Sequence, residues 1–216
     1  MNCIVTAGPT YEPLDEVRRL TNFSTGRLGS ELVNYLSAHG HNVTLLIGQQ
    51  ATWRGDRSAA AVQTFTTTDD LRQRLKALSS PADVQAVFHA AAVSDFTFGT
   101  VWQGHPGGKL NELRAGKIPT RAENLLVELI PTSKIIADLR SFFPKALLVG
   151  WKYEVDGDRA SVIMKAEQQI AENRTNACVA NGAAYGPGFG IVTGPGKHQH
   201  CETTKELFVA LERLLH

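Results

Sequence analysis

The 216-residue chain has almost no net charge, since 22 basic residues oppose 21 acidic ones and leave a formal charge of +1. That balance removes the electrostatic footprint of a protein whose main partner is nucleic acid or an anionic membrane surface. Cysteine is scarce as well. Cys3, Cys178 and Cys201 are odd in number and far apart, without the short spacings of a zinc site or a disulfide framework. No apolar run approaches the ~20 residues of a membrane-spanning helix, and Met1 leads straight into Asn-Cys-Ile-Val-Thr with no basic leader or cleavage site. A reduced, soluble, cytoplasmic chain is expected. The pairs His39/His41 and His198/His200 fall on expected surface turns with no carboxylate or cysteine cluster beyond Cys201, so no metal site is predicted.

A dinucleotide fingerprint is also missing. G-x-G-x-x-G should follow the first strand directly, and the chain instead continues Ala7-Gly-Pro-Thr-Tyr-Glu-Pro-Leu-Asp. GPGFG at 186–190 has the wrong spacing. None of Tyr11, Tyr35, Tyr153 and Tyr185 has a lysine four residues later, the pair on which short-chain reductases depend. An NAD(P)-dependent reductase survives only as an atypical alternative.

What is present is a core-forming composition, 43% hydrophobic, in a length suited to a single α/β domain over residues 1–216. Short β-branched runs at 3–6, 43–47, 62–65, 86–93, 146–153 and 177–180 alternate with amphipathic stretches, and the run at 86–93 is read as a strand that passes into a loop. Leu28, Leu32, Val33 and Leu36 recur at helical spacing, as do residues of 69–78 and 159–172; Leu207, Phe208, Leu211, Leu214 and Leu215 line a closing helix. The pattern predicts an α/β fold, a Rossmann-like three-layer sandwich with a mostly parallel central sheet. Two stretches break the alternation: residues 97–120, with five glycines and two prolines, predict a long loop or flap, and 184–195 a second flexible stretch.

In open parallel sheets ligands lie beyond the carboxyl ends of the strands, so residues from Ala7 and from Ala90 onward should converge on one crevice. Gly8 lets a ligand approach the backbone there, or simply makes a tight turn. NFSTGRLG at 22–29 gathers an amide, two hydroxyls, two glycines and a guanidinium near a helix start, the groups that surround a phosphate. The same residues also describe an ordinary helix start with an exposed arginine.

TAGPTYEPLDEVRRLTNFSTGRLG, AAAVSDF at 90–96, GKIPT at 116–120 and LVGWKYE at 148–154 together resemble the phosphopantothenoylcysteine synthetase family, in family order and over nearly the entire chain. The resemblance implies a ligase of coenzyme A biosynthesis. In that reaction the carboxylate of 4'-phosphopantothenate attacks the α-phosphate of CTP or ATP with loss of pyrophosphate. The amine of cysteine then displaces the nucleotide monophosphate. Mg2+ assistance and a homodimer are implied; flavin, nucleic acid and membrane are not.

By the same resemblance, Asn22 holds and orients the acyl intermediate, and Lys117 reaches the α-phosphate, with Lys109 as its rival because the KIPT match is short. Gly8, Ser24, Thr25, Gly26 and Arg27 bind phosphate; Ala91, Ala92 and Asp95 belong to the nucleotide segment, Asp95 on ribose hydroxyls or assisting magnesium. Trp151 replaces a family aromatic and packs on the base or in the core, and Lys165 contacts the nucleotide. The chain departs from the family pattern at Pro119, at Gln169, where a second basic residue is frequent, and at Gly182. These changes leave a non-catalytic nucleotide-binding homologue as a further alternative, and leave the base, CTP or ATP, open.

Overall fold

The computed structural model describes residues 1–79, 83–105, 107–119 and 124–216. Its elements run β1 (Asn2–Ala7), β2 (Tyr11–Pro13), β3 (Arg19–Thr21), α1 (Arg27–Ala38), β4 (Asn42–Gly48), β5 (Ala61–Phe65), α2 (Thr68–Leu78) and β6 (Ala86–His89). There follow β7 (Phe96–Gly104), β8 (Leu110–Glu112), β9 (Asn124–Pro131), α3 (Ile135–Phe142), β10 (Leu147–Tyr153), α4 (Arg159–Asn173), β11 (Ala177–Asn181), β12 (Phe189–Gly194), β13 (Lys197–Cys201) and α5 (Thr204–Arg213).

Eight strands form the central sheet in the order β13-β12-β11-β10-β6-β1-β4-β5. The strands from β11 to β5 pair in parallel, while β12 and β13 close one edge antiparallel. Strand order reverses between β1 and β6, which makes the space beyond their carboxyl ends the switch-point crevice. Helices cover both faces: Leu32, Leu36, Leu207 and Leu211 of α1 and α5 bury one side with Val5 and Leu45. Leu71, Leu75 and Leu139 of α2 and α3 bury the other with Leu46 and Leu148, and α4 adds Val162 and Ala166 over Cys178 and Ala180. This is the sandwich that the alternation predicts.

Local chemistry sets the helix starts. Thr67, Asp158 and Thr203 accept backbone N–H groups at the starts of α2, α4 and α5, and Asp158 with Ser161 forms a reciprocal capping box. Helix α1 differs: it begins at Gly26 in the left-handed region, φ +78°, with no side-chain cap. A Cβ on Gly29 would stand 2.6 Å from Ala7 Cβ, so α1 crosses β1 at a glycine because nothing larger fits.

Three expectations change. Residues 97–120, of which Pro106 and Thr120 lie outside the described residues, are no long loop: β8-β7-β9 form a separate antiparallel sheet. Glycine misled the reading, because Gly99 sits at a register shift between Phe98 and Val101, and Gly107 and Gly108 supply positive φ in the turn beside them. The stretch 184–195 contains β12, where the Tyr185 ring requires Gly190, since a Cβ there would lie 2.8 Å from it. His198 and His200 lie in β13, and not on turns. The run 86–93 forms its strand over Ala86–His89 and continues as a loop, as expected.

Candidate functional site

The loops after β1 and β6 are stitched together. Ala92 N–H donates to Gly8 O at 2.9 Å, Thr10 N–H donates to Ala92 O at 3.1 Å, and Ser94 N–H donates to Thr10 Oγ1 at 2.8 Å. Asn22 joins them, its Nδ2 donating to Ala92 O at 3.1 Å. Gly26 faces Gly8 closely, since a Cβ on Gly26 would lie 3.3 Å from Gly8 Cα and 3.0 Å from Ala51 Cβ. Gly8, Asn22, Gly26 and Ala92 therefore share the floor of the crevice.

Around them, Ser24 is half-buried and Thr25 and Arg27 are exposed. Thr25 Oγ1 accepts Arg27 N–H at 3.3 Å, and Arg27 Nε bonds Glu31 at 2.7 Å across one helical turn. The open amide end of α1 and the Arg27 guanidinium present positive potential to an anion there.

The long connection after β1 is an antiparallel hairpin, β2 with β3, that carries Asn22 at its exit. Its turn grips the segment that bears Lys117. Ile118 N–H donates to Asp15 Oδ2 at 3.1 Å, Arg18 Nη1 donates to Ile118 O at 3.1 Å, and Glu16 N–H donates to Gly116 O at 2.9 Å. Ile118 is buried, while Lys117 beside it is exposed. Burial alone would raise the Asp15 carboxyl, but N–H groups of Ile118, Val17 and Arg18, with the Arg18 guanidinium, hold it below the usual range. Lys109 sits in the turn between β7 and β8, where its carbonyl accepts His105 N–H.

A second group lines a cavity of about 540 Å³ between the β6 loop, the start of α3, β10 and α4. Ala91, Asp95, Trp151, Lys165 and Gln169 all contribute to its wall. Asp95 is paired with Lys134 at 2.5 Å. Glu154 takes Lys165 at 2.6 Å and Lys152 at 3.2 Å, and the Lys165 hydrogen bond, with Lys152 behind it, holds its carboxyl low against partial burial. The wall thus opposes Asp95, Glu154 and Glu172 with Lys134, Lys152 and Lys165, and its formal charges cancel. Trp151 packs against the β1–α1 core with its indole nitrogen buried and unpartnered among the described residues.

His89 is a wall residue that sequence reading passed over, because it stands inside an apolar run and reads as core. It is 6% exposed, and burial pushes its imidazole down to about 4, so the ring is neutral. Among the described residues no cluster of three or more His, Cys, Asp or Glu is placed to cage a metal ion, and no helix is long and apolar enough to cross a membrane.

Residues 1–197 match the family model of the DNA/pantothenate metabolism flavoprotein C-terminal domain. A cysteine/cysteine sulfinic acid decarboxylase from an unknown prokaryotic organism is 30% identical over 88% of this chain and 48% of its own length. The coenzyme A biosynthesis bifunctional protein CoaBC of Thermococcus kodakarensis is 28% identical over 82% of this chain and 40% of its own. The chain therefore spans less than half the length of either relative. The crystal structure of the DNA/pantothenate metabolism flavoprotein from Streptococcus pneumoniae superposes with a TM-score of 0.83 at 25% identity, covering 99% of this chain and 98% of that one.

Proposed function

Because the chain belongs to the DNA/pantothenate metabolism flavoprotein C-terminal domain family, we propose that it is a phosphopantothenate–cysteine ligase of coenzyme A biosynthesis. The observation that carries this reading is the Asn22–Ala92 hydrogen bond, which joins the NFSTGRLG and AAAVSDF segments over the switch-point crevice. The reading rests on that family, and the decarboxylase activity named for one relative does not enter it.

In this reading the nucleoside triphosphate spans both halves of the site, and the charge distribution supports the division. A cavity whose charges cancel suits base and ribose, with Asp95 and Lys165 at the sugar. The phosphates lie over Gly8, Ser24, Thr25, Gly26 and Arg27, where hydroxyls, amides and a cation face them. The carboxylate of 4'-phosphopantothenate attacks the α-phosphorus, the bond to pyrophosphate breaks, and Lys117 neutralises charge on the transferring oxygens. The cysteine amine then attacks the acyl carbon, loses a proton, and expels the nucleotide monophosphate. Asn22, fixed through Nδ2 on Ala92, has no partner at Oδ1 among the described residues and uses it to orient that amine. Lys165 reaches a ligand only by sharing or leaving Glu154.

Magnesium has no protein cage among the described residues, which fits an ion carried in on the triphosphate oxygens. The proposal includes CTP or ATP as co-substrate, a homodimer, a single domain over residues 1–216 and a cytoplasmic location. Pyrophosphate release with magnesium and 4'-phosphopantothenate, with CTP or ATP and with or without cysteine, tests it. Release followed by a cysteine-dependent amide product supports the ligase and names the nucleotide; no release from folded protein rejects it in favour of a binding homologue.

A further inference from the structure

Thr6 Oγ1 lies 2.9 Å from His89 Nδ1 and accepts Ala91 N–H at 3.1 Å. Thr6 is fully buried, and His89 Nδ1 is the one acceptor its hydroxyl reaches among the described residues. A buried hydroxyl hydrogen left unpaired is costly, so Thr6 donates to Nδ1. The neutral ring then carries its proton on Nε2, and this N–H has no partner among the described residues. The ring is part of the cavity wall, whose apolar members include Ala91, Val93, Ile135 and Ile136.

We propose that His89 is a nucleotide-recognition residue, its Nε2–H donating to a ring nitrogen or carbonyl oxygen of the bound heteroaromatic base. The inference rests on the ligase reading for its placement of the nucleoside in this cavity. Thr6 sets the tautomer, the apolar side chains of the lining receive the faces of a flat base, and the strand end holds the donor rigid. A protonated histidine would add a charge to a wall whose charges already cancel; a neutral one selects for an acceptor without attracting phosphate. Sequence reading finds the segment from Ala90 onward and stops one residue short of this group.

Two substitutions separate the two nitrogens. His89→Asn offers Thr6 an acceptor where Nδ1 was and has no donor at the place of Nε2; His89→Gln reaches the place of Nε2 with an amide and leaves Thr6 unpaired. The expected result is a rise of about tenfold in the nucleotide KM for H89N, a smaller rise for H89Q, and unchanged KM for cysteine in both. The melting temperature should move the other way, falling more in H89Q. Ribose 5-triphosphate, which has no base, should bind H89N as well as it binds the unaltered protein. A nucleotide KM harmed more by H89Q, or equally by both, overturns the assignment and leaves the ligase standing, as does weakened ribose 5-triphosphate binding. Absence of both turnover and nucleotide binding in the unaltered protein overturns the two together.

Discussion

The Asp15 carboxylate accepts the backbone N–H of Ile118 at 3.1 Å across 103 positions of chain, and so fastens the Lys117 segment to the hairpin that delivers Asn22. Asp15→Asn keeps the shape and removes the charge that holds Arg18 and three N–H groups. We expect kcat to fall by about tenfold or more, with little change in nucleotide affinity. Steady-state pyrophosphate release beside nucleotide binding measures the difference.

The same carboxylate sets a pH dependence. Its folded pKa lies below the ordinary 3.8, so its stabilisation is fully present above that value and is lost as pH falls through the folded pKa. Melting curves of Asp15→Asn and unaltered protein should be separated by a constant gap from pH 7 to about pH 4. Below that the gap should close, since the amide cannot titrate.

Lys117→Ala removes the exposed cation and should abolish formation of the acyl-nucleotidate, seen as loss of pyrophosphate release without cysteine. Asn22→Asp replaces the donor on Ala92 O with a second acceptor and should impair use of the intermediate more than its formation. Normal turnover in both variants would reject the two assignments.

Gly29→Ala tests the α1–β1 crossing. With Ala7 Cβ at 2.6 Å from the new methyl, helix and strand must move apart, and overpacking of this kind costs about 1–3 kcal/mol. Denaturant unfolding should show a lower midpoint, and an unchanged midpoint would mean the helix shifts freely.

Strand β9 exposes Leu125 and Leu129 on one face and Leu126 and Ile130 on the other, apolar surface of the kind a second copy covers. Light scattering should find a dimer, and Leu126→Glu should shift it to monomer. A monomeric unaltered protein would remove the homodimer from the proposal.

Much of this architecture is legible in the residues, and the misses have physical causes. Strands β1, β4, β6, β10 and β11 announce themselves because parallel strands buried on both faces must be continuously apolar. Strands β7 and β9 stay hidden because polar residues and glycine interrupt their apolar runs: Glu128 sits among the leucines of β9, Thr97 between the phenylalanines of β7, and Gly99 reads as a break when it marks a bulge. Helix α3, with Ile135 and Leu139 as its buried residues, is too short for a periodic signal. In the site, Asn22 and Asp95 fall in recognisable segments, but the partners that fix them do not. Nothing near Asp95 in sequence indicates Lys134, nor does anything near Lys165 indicate Glu154. His89 is hidden by its own burial, since one polar residue in an apolar run looks like tolerated core.

The β7–β8–β9 arm leaves and re-enters the fold at one place. Phe96 stands opposite Pro131, Thr132 Oγ1 donates to Ser94 O at 2.6 Å, and Thr132 N–H donates to Asp95 O at 2.9 Å. An insertion whose ends already meet makes a small entropic demand on the sheet that carries it, and that demand grows slowly with length. The arm is in this sense a cassette: its tip can lengthen, shorten or drift in sequence without disturbing the layers behind it. Among the described residues the hairpin limits that freedom, through Asp15 and Arg18 on Ile118 and Glu16 on Gly116, because it decides where the lysine returns.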